Sequence, residues 1–438
     1  MELKNIIQKN LDLLNGVEWE FYLIEKTTLK SRSKDFQIES ITKSGEKGLS
    51  IRLKKDGKVG FSYVSNISDD TVKKGIQKAK DILKISTPDD AIFFQKPVET
   101  DLIPEAYDTF STERLDTKEK ILKATEIERA IKTKDNRIKN VRDCTFSETV
   151  FSYSLINYKG LDISEKGTVY TAMASAVAED KGDSQIAWGF TQSRYLEDLD
   201  INRLADEIVS GAVSLLGGKP VPTTSLPVLF PPYSFSQILE AFFQAFSGEF
   251  LIKGKSYFDD KKDQKVAPSF ISIVDDGRLT HGIMTRNFDD EGSPTQKTQI
   301  IKDGVFKNFI HNTYTAKLSG EKSTGNGFKA TFKEPPQVYP SNFYLQKGTG
   351  IKIESKTFKV IQLLGLHTAN PVTGDFSVGA SGALIDGKGF SQPVTGVTLS
   401  GNFFQMLKDI IQVGDDLRFY GNFGSPSVLV EKMVLGGI

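Results

Sequence analysis

The chain is poor in the residues that most often hold metals or cross-link a fold. Among 438 residues there is one cysteine, Cys144, and there are three histidines, His281, His311 and His367. A single cysteine excludes an intrachain disulfide and every multi-cysteine metal site. Cys144 is expected to be a small buried apolar residue rather than a reactive thiol. No two histidines lie a helical turn apart, so the pattern that turns two imidazoles and a carboxylate toward one zinc ion is missing. An excess of one charge is lacking too. Lys+Arg and Asp+Glu are each 56, which leaves no basic footprint for general nucleic-acid binding. No run of about 18 apolar residues is long enough to span a bilayer. The opening stretch MELKNIIQKNLDLLNG scatters charges through its apolar positions and has no signal-peptide cleavage pattern. The expectation is a cytoplasmic protein with no direct nucleic-acid or membrane partner.

What is present is ordinary globular material, with 38% hydrophobic and 26% charged residues. A chain of this length predicts two domains of roughly 200 residues each. Helical spacing of Leu3, Ile7, Leu11 and Leu14 predicts a first helix stopped by Asn15-Gly16. Alternating runs around Asp56-Gly57 predict a hairpin. Helices are expected from Asp69 or Asp70, with Val72, Ile76, Ala79 and Leu83 on one face, and from Asp116, with Leu122, Ile127 and Ile131. Residues 150–190 read as a β-meander, followed by a helix over 200–216. The segment GGKPVPTTSLP, with two glycines and three prolines, disfavours helix and central strand and sets the boundary. The predicted fold is α+β. An N-terminal domain (1–217) has helices covering a sheet, and a C-terminal domain (218–438) is mainly antiparallel β with a few buried helices. Within the second domain, SFSQILEAFFQAF reads as a buried helix, 298–316 and 383–401 as hairpins, and 402–412 as a helix.

Most motif searches end in local structure. GALIDGKG has phosphate-loop spacing up to its lysine, but Gly389 replaces the magnesium-binding hydroxyl and no helix follows, so it reads as a hairpin tip. STGNGF (323–328) reads as a shaped loop, and no serine lies in a nucleophile elbow. The loop RNFDDEGSPTQKT is more informative. Asp289, Asp290 and Glu291 are consecutive, flanked by Arg286 and threonines, and either a solvated acidic turn or a hydrogen-bonded network lining a cleft would account for them.

Four segments together resemble the TldD/PmbA family, whose members include zinc metallopeptidases and were called modulators of DNA gyrase. They are SGEFLIKGKS (247–256), residues 286–327, NPVTGDFSVGASGALIDG (370–387) and GNFFQMLKDIIQVGDDLRFYG (401–421). In the TldD kind, the resemblance implies an H-E-x-x-x-H segment just before a G-[DE]-x-x-x-K-G turn and a cysteine near the C-terminus, all three serving as zinc ligands. The PmbA kind, also called TldE, lacks them and pairs with the first. Registering the turn on Gly248, Glu249 and Gly254 puts the window on Leu239-Glu240-Ala241-Phe242-Phe243-Gln244. Leu239 and Gln244 stand where the histidines would be, Glu240 is retained, and no cysteine follows Cys144.

The expectation is therefore a non-catalytic PmbA/TldE-type subunit of a metallopeptidase assembly acting on peptides or unfolded segments. No cofactor is expected in this chain, and zinc is expected in a TldD-type partner. That partner would form a heterodimer with the chain, or the chain would pair with itself. Candidate substrate-binding residues are Glu249, Lys253, Arg286, Asp289, Asp290, Glu291 and Asn326, with peptides gripped by strand addition to exposed sheet edges. Two alternatives stand beside this. One is a self-contained homodimeric peptidase using His281 with carboxylates of the Asp289 loop. The other is a gyrase- or DNA-related binding modulator.

Overall fold

The computed structural model describes residues 2–438. The two helices that open the described chain, α1 (Glu2–Gln8) and α2 (Leu11–Leu14), replace the single one expected; Asn10 interrupts them and bonds back to the Ile6 carbonyl. The first half then builds β1 (Glu18–Lys34), β2 (Gln37–Lys55), β3 (Lys58–Val64), β4 (Ile138–Asn157), β5 (Asp162–Asp180) and β6 (Asp183–Ser193). They form one antiparallel sheet in the order β3-β2-β1-β4-β5-β6. The Asp56-Gly57 turn joins β2 to β3 as the sequence predicts.

Period-two alternation gives this sheet two unlike faces. On one face Phe21, Leu23, Leu49 and Ile51 pack under α3 (Asp69–Ile85) and Phe146, Tyr170 and Ala172 under α5 (Thr117–Lys132) and α6 (Ile201–Val213), while the second face carries Tyr22, Tyr153 and Leu155. Helix α4 (Thr109–Glu113) is a single turn before α5. Two local expectations are corrected. The cap of α3 is Ser68, which accepts from the Thr71 amide and is answered by the Thr71 hydroxyl in a capping box. On α5, Leu122 lies exposed and Ala124, Ile127 and Ile131 form the buried stripe.

The second half contains a closed ring of five strands. They are β7 (Thr224–Phe230), β14 (Thr357–Leu364), β15 (Asp375–Ile385), β16 (Ser391–Asn402) and β20 (Val428–Gly436). β7 is parallel to β14, the other pairings are antiparallel, and β16 with β20 closes the ring. β7 begins inside the proline-rich segment and is a central strand, contrary to the sequence reading. Pro227 is tolerated because β20 bulges between Val430 and Met433, leaving no residue paired opposite it. A second sheet runs through β8 (Ile273–Asp276), β9 (Lys297–Lys302), β10 (Val305–Phe306), β13 (Phe343–Leu345), β18 (Arg418–Tyr420) and β19 (Phe423–Ser425). Short strands β11 (Gly327–Phe328) and β12 (Gln337–Val338) pair separately, and β17 (Ile410–Val413) extends the ring at β20.

Helix α7 (Pro232–Phe242) packs into the single C-terminal core, where Phe242 stacks on Phe403 at 4.6 Å. Three further helices are short: α8 (Gly248–Ile252), α9 (Thr313–Ser319) and α10 (Phe403–Lys408). α9 takes residues assigned to a hairpin strand, because Asn312 caps it by accepting from the Thr315 amide. α10 stops at Lys408, and residues expected to continue it form β17.

Candidate functional site

The six-residue window that would hold zinc ligands does not lie on one helix. α7 ends at Phe242, and Phe243–Phe246 form a 3-10 turn. Leu239 is 0% exposed in the core, whereas Gln244 is exposed beyond the end of α7. A leucine has no donor atom, and catalytic zinc normally requires three protein ligands. The residues present at the window therefore do not fit a zinc ion. Glu240 lies on the outer side of α7 and is largely exposed, yet nearby protein shields its carboxyl enough to raise its pKa. Burial, and then the Glu240 charge, raises the phenols of Tyr233 and Tyr339. Beside this helix Tyr233 meets Tyr420 at 4.8 Å and Trp188 at 6.0 Å, which makes an aromatic patch with Trp188 half exposed.

The turn after the window is α8. Glu249 and Lys253 pair across one helical turn at 2.5 Å on the surface, and Ser247 caps the helix by accepting from the Phe250 amide. Gly248 is needed for close packing: a Cβ there would fall 2.2 Å from His311 Nδ1 and 2.7 Å from Thr315 Oγ1. Burial of His311 pulls its imidazole down to about 4, so it packs as a neutral ring.

The acidic loop docks against the second face of the N-terminal sheet. Asp289 is 0% exposed, and Asp290 and Glu291 are buried with it. Asp289 accepts from the amides of Glu291, Ser293 and Gly327, each within 2.9 Å. Asp290 accepts from Arg286 at 2.6 Å and from the Lys329 amide at 2.8 Å, and Glu291 accepts from the Thr313 amide at 2.7 Å. Burial, then the neighbouring Glu291 charge, raises the Asp289 carboxyl well above the usual range. Burial likewise raises Glu291, against the pull of Arg52. Arg286 lies 4.1 Å over the Tyr153 ring, and Gly292, at φ +81°, would place a Cβ 2.3 Å from Leu161. The cleft-lining reading is thus corrected for Asp289, Asp290 and Glu291. They are sealed between the halves of the molecule, and their hydrogen bonds go to backbone amides and to Arg286.

Asn326 is equally enclosed, donating to Asp275 at 2.7 Å and accepting from Thr324 at 2.6 Å. Burial pushes Asp275 up to about 7 even though Asn326 lowers it, and its second oxygen has no partner. His281 is drawn away from the Asp289 loop, bonding Asp198 at 2.7 Å near the surface. That geometry does not supply the ligand set of the homodimeric-peptidase alternative. Cys144 is buried, its thiol donating to the Ala124 carbonyl and pushed by burial up to about 12.

Several polar groups of this interface escaped the sequence reading. Glu20 and Arg52 form a buried ion pair at 2.5 Å, their Cα atoms being register partners on β1 and β2. Tyr153 donates to Glu165, which also accepts from the Asn287 amide at 2.8 Å. Arg194 donates to the carbonyls of Ala106 and Ile283. The alternation offered no signal, because Glu20 between Trp19 and Phe21 falls on the face that a sequence reads as solvated and that the second half of the molecule covers.

A helix-covered antiparallel sheet is thus joined to a closed C-terminal barrel, with the α8 turn following a helix that lacks metal ligands. Family models for the PmbA/TldA metallopeptidase match the chain throughout: domain 1 over residues 19–83, the central domain over 110–216 and the C-terminal domain over 223–437. The chain belongs to the PmbA/TldD family. It is 24% identical to metalloprotease PmbA of Escherichia coli O157:H7, over 99% of this chain and 96% of the relative. A solved Thermotoga maritima structure described as a modulator of a DNA gyrase is 27% identical, with a TM-score of 0.87 and 99% of each chain covered. TldE from Thermococcus kodakarensis shares the fold at a TM-score of 0.87, with 21% identity and 100% of each chain covered.

Proposed function

We propose that this chain is a non-catalytic, PmbA/TldE-type subunit of a metallopeptidase assembly, cytoplasmic, and paired with a TldD-type chain that carries the zinc. The observation that carries the reading is Leu239: a fully buried apolar side chain stands where the registered motif would place a zinc ligand, and Gln244 lies off the helix on the exposed side. Without the metal there is no means of bringing the pKa of a bound water down from its bulk value toward about 7. Glu240 is then left without the metal-bound water that a general base would activate.

The Glu249–Lys253 pair and the patch of Trp188, Tyr233 and Tyr420 are surface features beside the same helix. Aromatic side chains with one polar end suit protein and peptide contacts. Their position supports a role in presenting peptide to a partner's active site or in holding the partner itself. Co-purification with an H-E-x-x-x-H-bearing relative from the same organism, with peptidase assays on each chain and on the mixture, tests the reading. Activity confined to samples containing the relative is the expected result.

A further inference from the structure

A cleft with about 120 Å³ of free volume opens between β5 and the segments 104–106 and 283–287. Phe151, Val169 and Met284 give it apolar walls, Arg194 and Arg286 line it from the interface, and the Arg194 guanidinium lies 5.2 Å from the centre of the Phe151 ring. The two arginines differ in their partners. Arg286 is neutralised by Asp290 at 2.6 Å. Arg194 is 4% exposed, and its three hydrogen bonds go to backbone carbonyls. Among the described residues no carboxylate forms an ion pair with it.

A guanidinium carries five N–H donors, so two on Arg194 remain without a protein partner. Two carboxylates also line the cleft and are engaged there: Glu165 accepts from the Tyr153 hydroxyl and the Asn287 amide, and Glu105 accepts from the amide of Lys166, a third cationic residue of the lining. Burial, then the charge of Arg286, lowers the Arg194 pKa to about 10, with Glu165 acting in the opposite direction. Buried charges are ordinarily paired, because an isolated ion in a low-dielectric interior is strongly disfavoured.

We propose that this cleft is a binding site for a carboxylate carrying a short aliphatic tail, with Arg194 reading the carboxylate and Phe151, Val169 and Met284 holding the tail. The site is separate from the α7 window, and the inference does not depend on the subunit reading. Guanidinium pairs with carboxylates through parallel N–H donors, and planarity gives selectivity over a neutral amide of the same shape.

Calorimetric titration of the full chain at neutral pH with isobutyrate, N-acetylvaline and isobutyramide tests it. Saturable one-to-one binding of isobutyrate, with none of isobutyramide over the same range, is expected. Binding of N-acetylvaline as well assigns a peptide C-terminus as a source of the carboxylate, and its exclusion assigns a free acid. Arg194→Gln is expected to weaken isobutyrate binding about tenfold or more. Val169→Trp, which fills the cleft and keeps the arginine, is expected to do the same and carries the test if the first variant does not fold. Absence of saturable binding by either carboxylate, or undiminished binding in the Val169→Trp protein, overturns the proposal.

Discussion

Arg286 Nη2 meets Asp290 Oδ1 at 2.6 Å between the two halves of the molecule, four residues apart on one loop, with the Tyr153 ring 4.1 Å beneath the guanidinium. The pair joins the C-terminal loop to β4 of the first sheet. Its energetics follow from burial: removing one partner strands the other charge. Arg286→Met is expected to lower unfolding stability by about 3–5 kcal/mol. Adding Asp290→Leu to that variant should recover part of the loss. Denaturant unfolding of the two single variants and the double variant measures both.

Leu239 is core. Leu239→Ala is expected to cost about 2–5 kcal/mol, as for other buried leucines. Gln244→Ala, at an exposed position outside the helix, should stay within about 0.5 kcal/mol of the parent. Similar effects at the two positions would contradict the placement of the window.

Asp275 gives a pH dependence with a definite sign. Its folded-state pKa is raised to about 7 by burial, so between about 4 and 7 the folded chain holds a proton that the unfolded chain has released. Stability from this group is therefore fully present below about pH 4, falls as pH rises toward 7 and levels off above it. Asp275→Asn, which resembles the protonated side chain, should flatten that slope. Buried Asp289 and Glu291 are raised in the same direction, so the difference between parent and variant, read from unfolding curves across the window, isolates Asp275.

Gly248 has no room for a side chain against His311. Gly248→Ala is expected to destabilise by about 1–3 kcal/mol through overpacking. A combined Gly248→Ala, His311→Ala protein should relieve part of it, which thermal unfolding would show.

The Cys144 thiol is buried and pushed up to about 12. A thiol reagent at neutral pH should leave the native chain unlabelled and label it stoichiometrically once unfolded. Rapid labelling of the native chain would contradict this.

Much of the fold follows from local signals. Alternation and the Asp56-Gly57 turn mark the first sheet, and the stripes of α3 and α6 mark its cover. The sequence reading erred where tertiary pairing overrides composition. Pro227 sits in a central strand only because a bulge forms in β20, some 200 residues later. The acidic loop shows the same limit. A run of Asp289, Asp290 and Glu291 ordinarily marks a solvated turn. Here the buried amides of Ser293, Gly327, Lys329 and Thr313 satisfy it, a fact fixed by chain segments distant in sequence. Absence of the histidines from the 239–244 window was legible directly. The break of α7 at Phe242, which separates the two ends of that window, was not.

The measurement that bears most directly on the proposed silent subunit is metal content together with peptidase activity of the purified chain, alone and mixed with an H-E-x-x-x-H-bearing family member. The account predicts no stoichiometric zinc and no cleavage of unstructured peptides by this chain alone, with both appearing only in samples that contain the second chain. Stoichiometric zinc on this chain, with peptide cleavage abolished by a chelator, would contradict it.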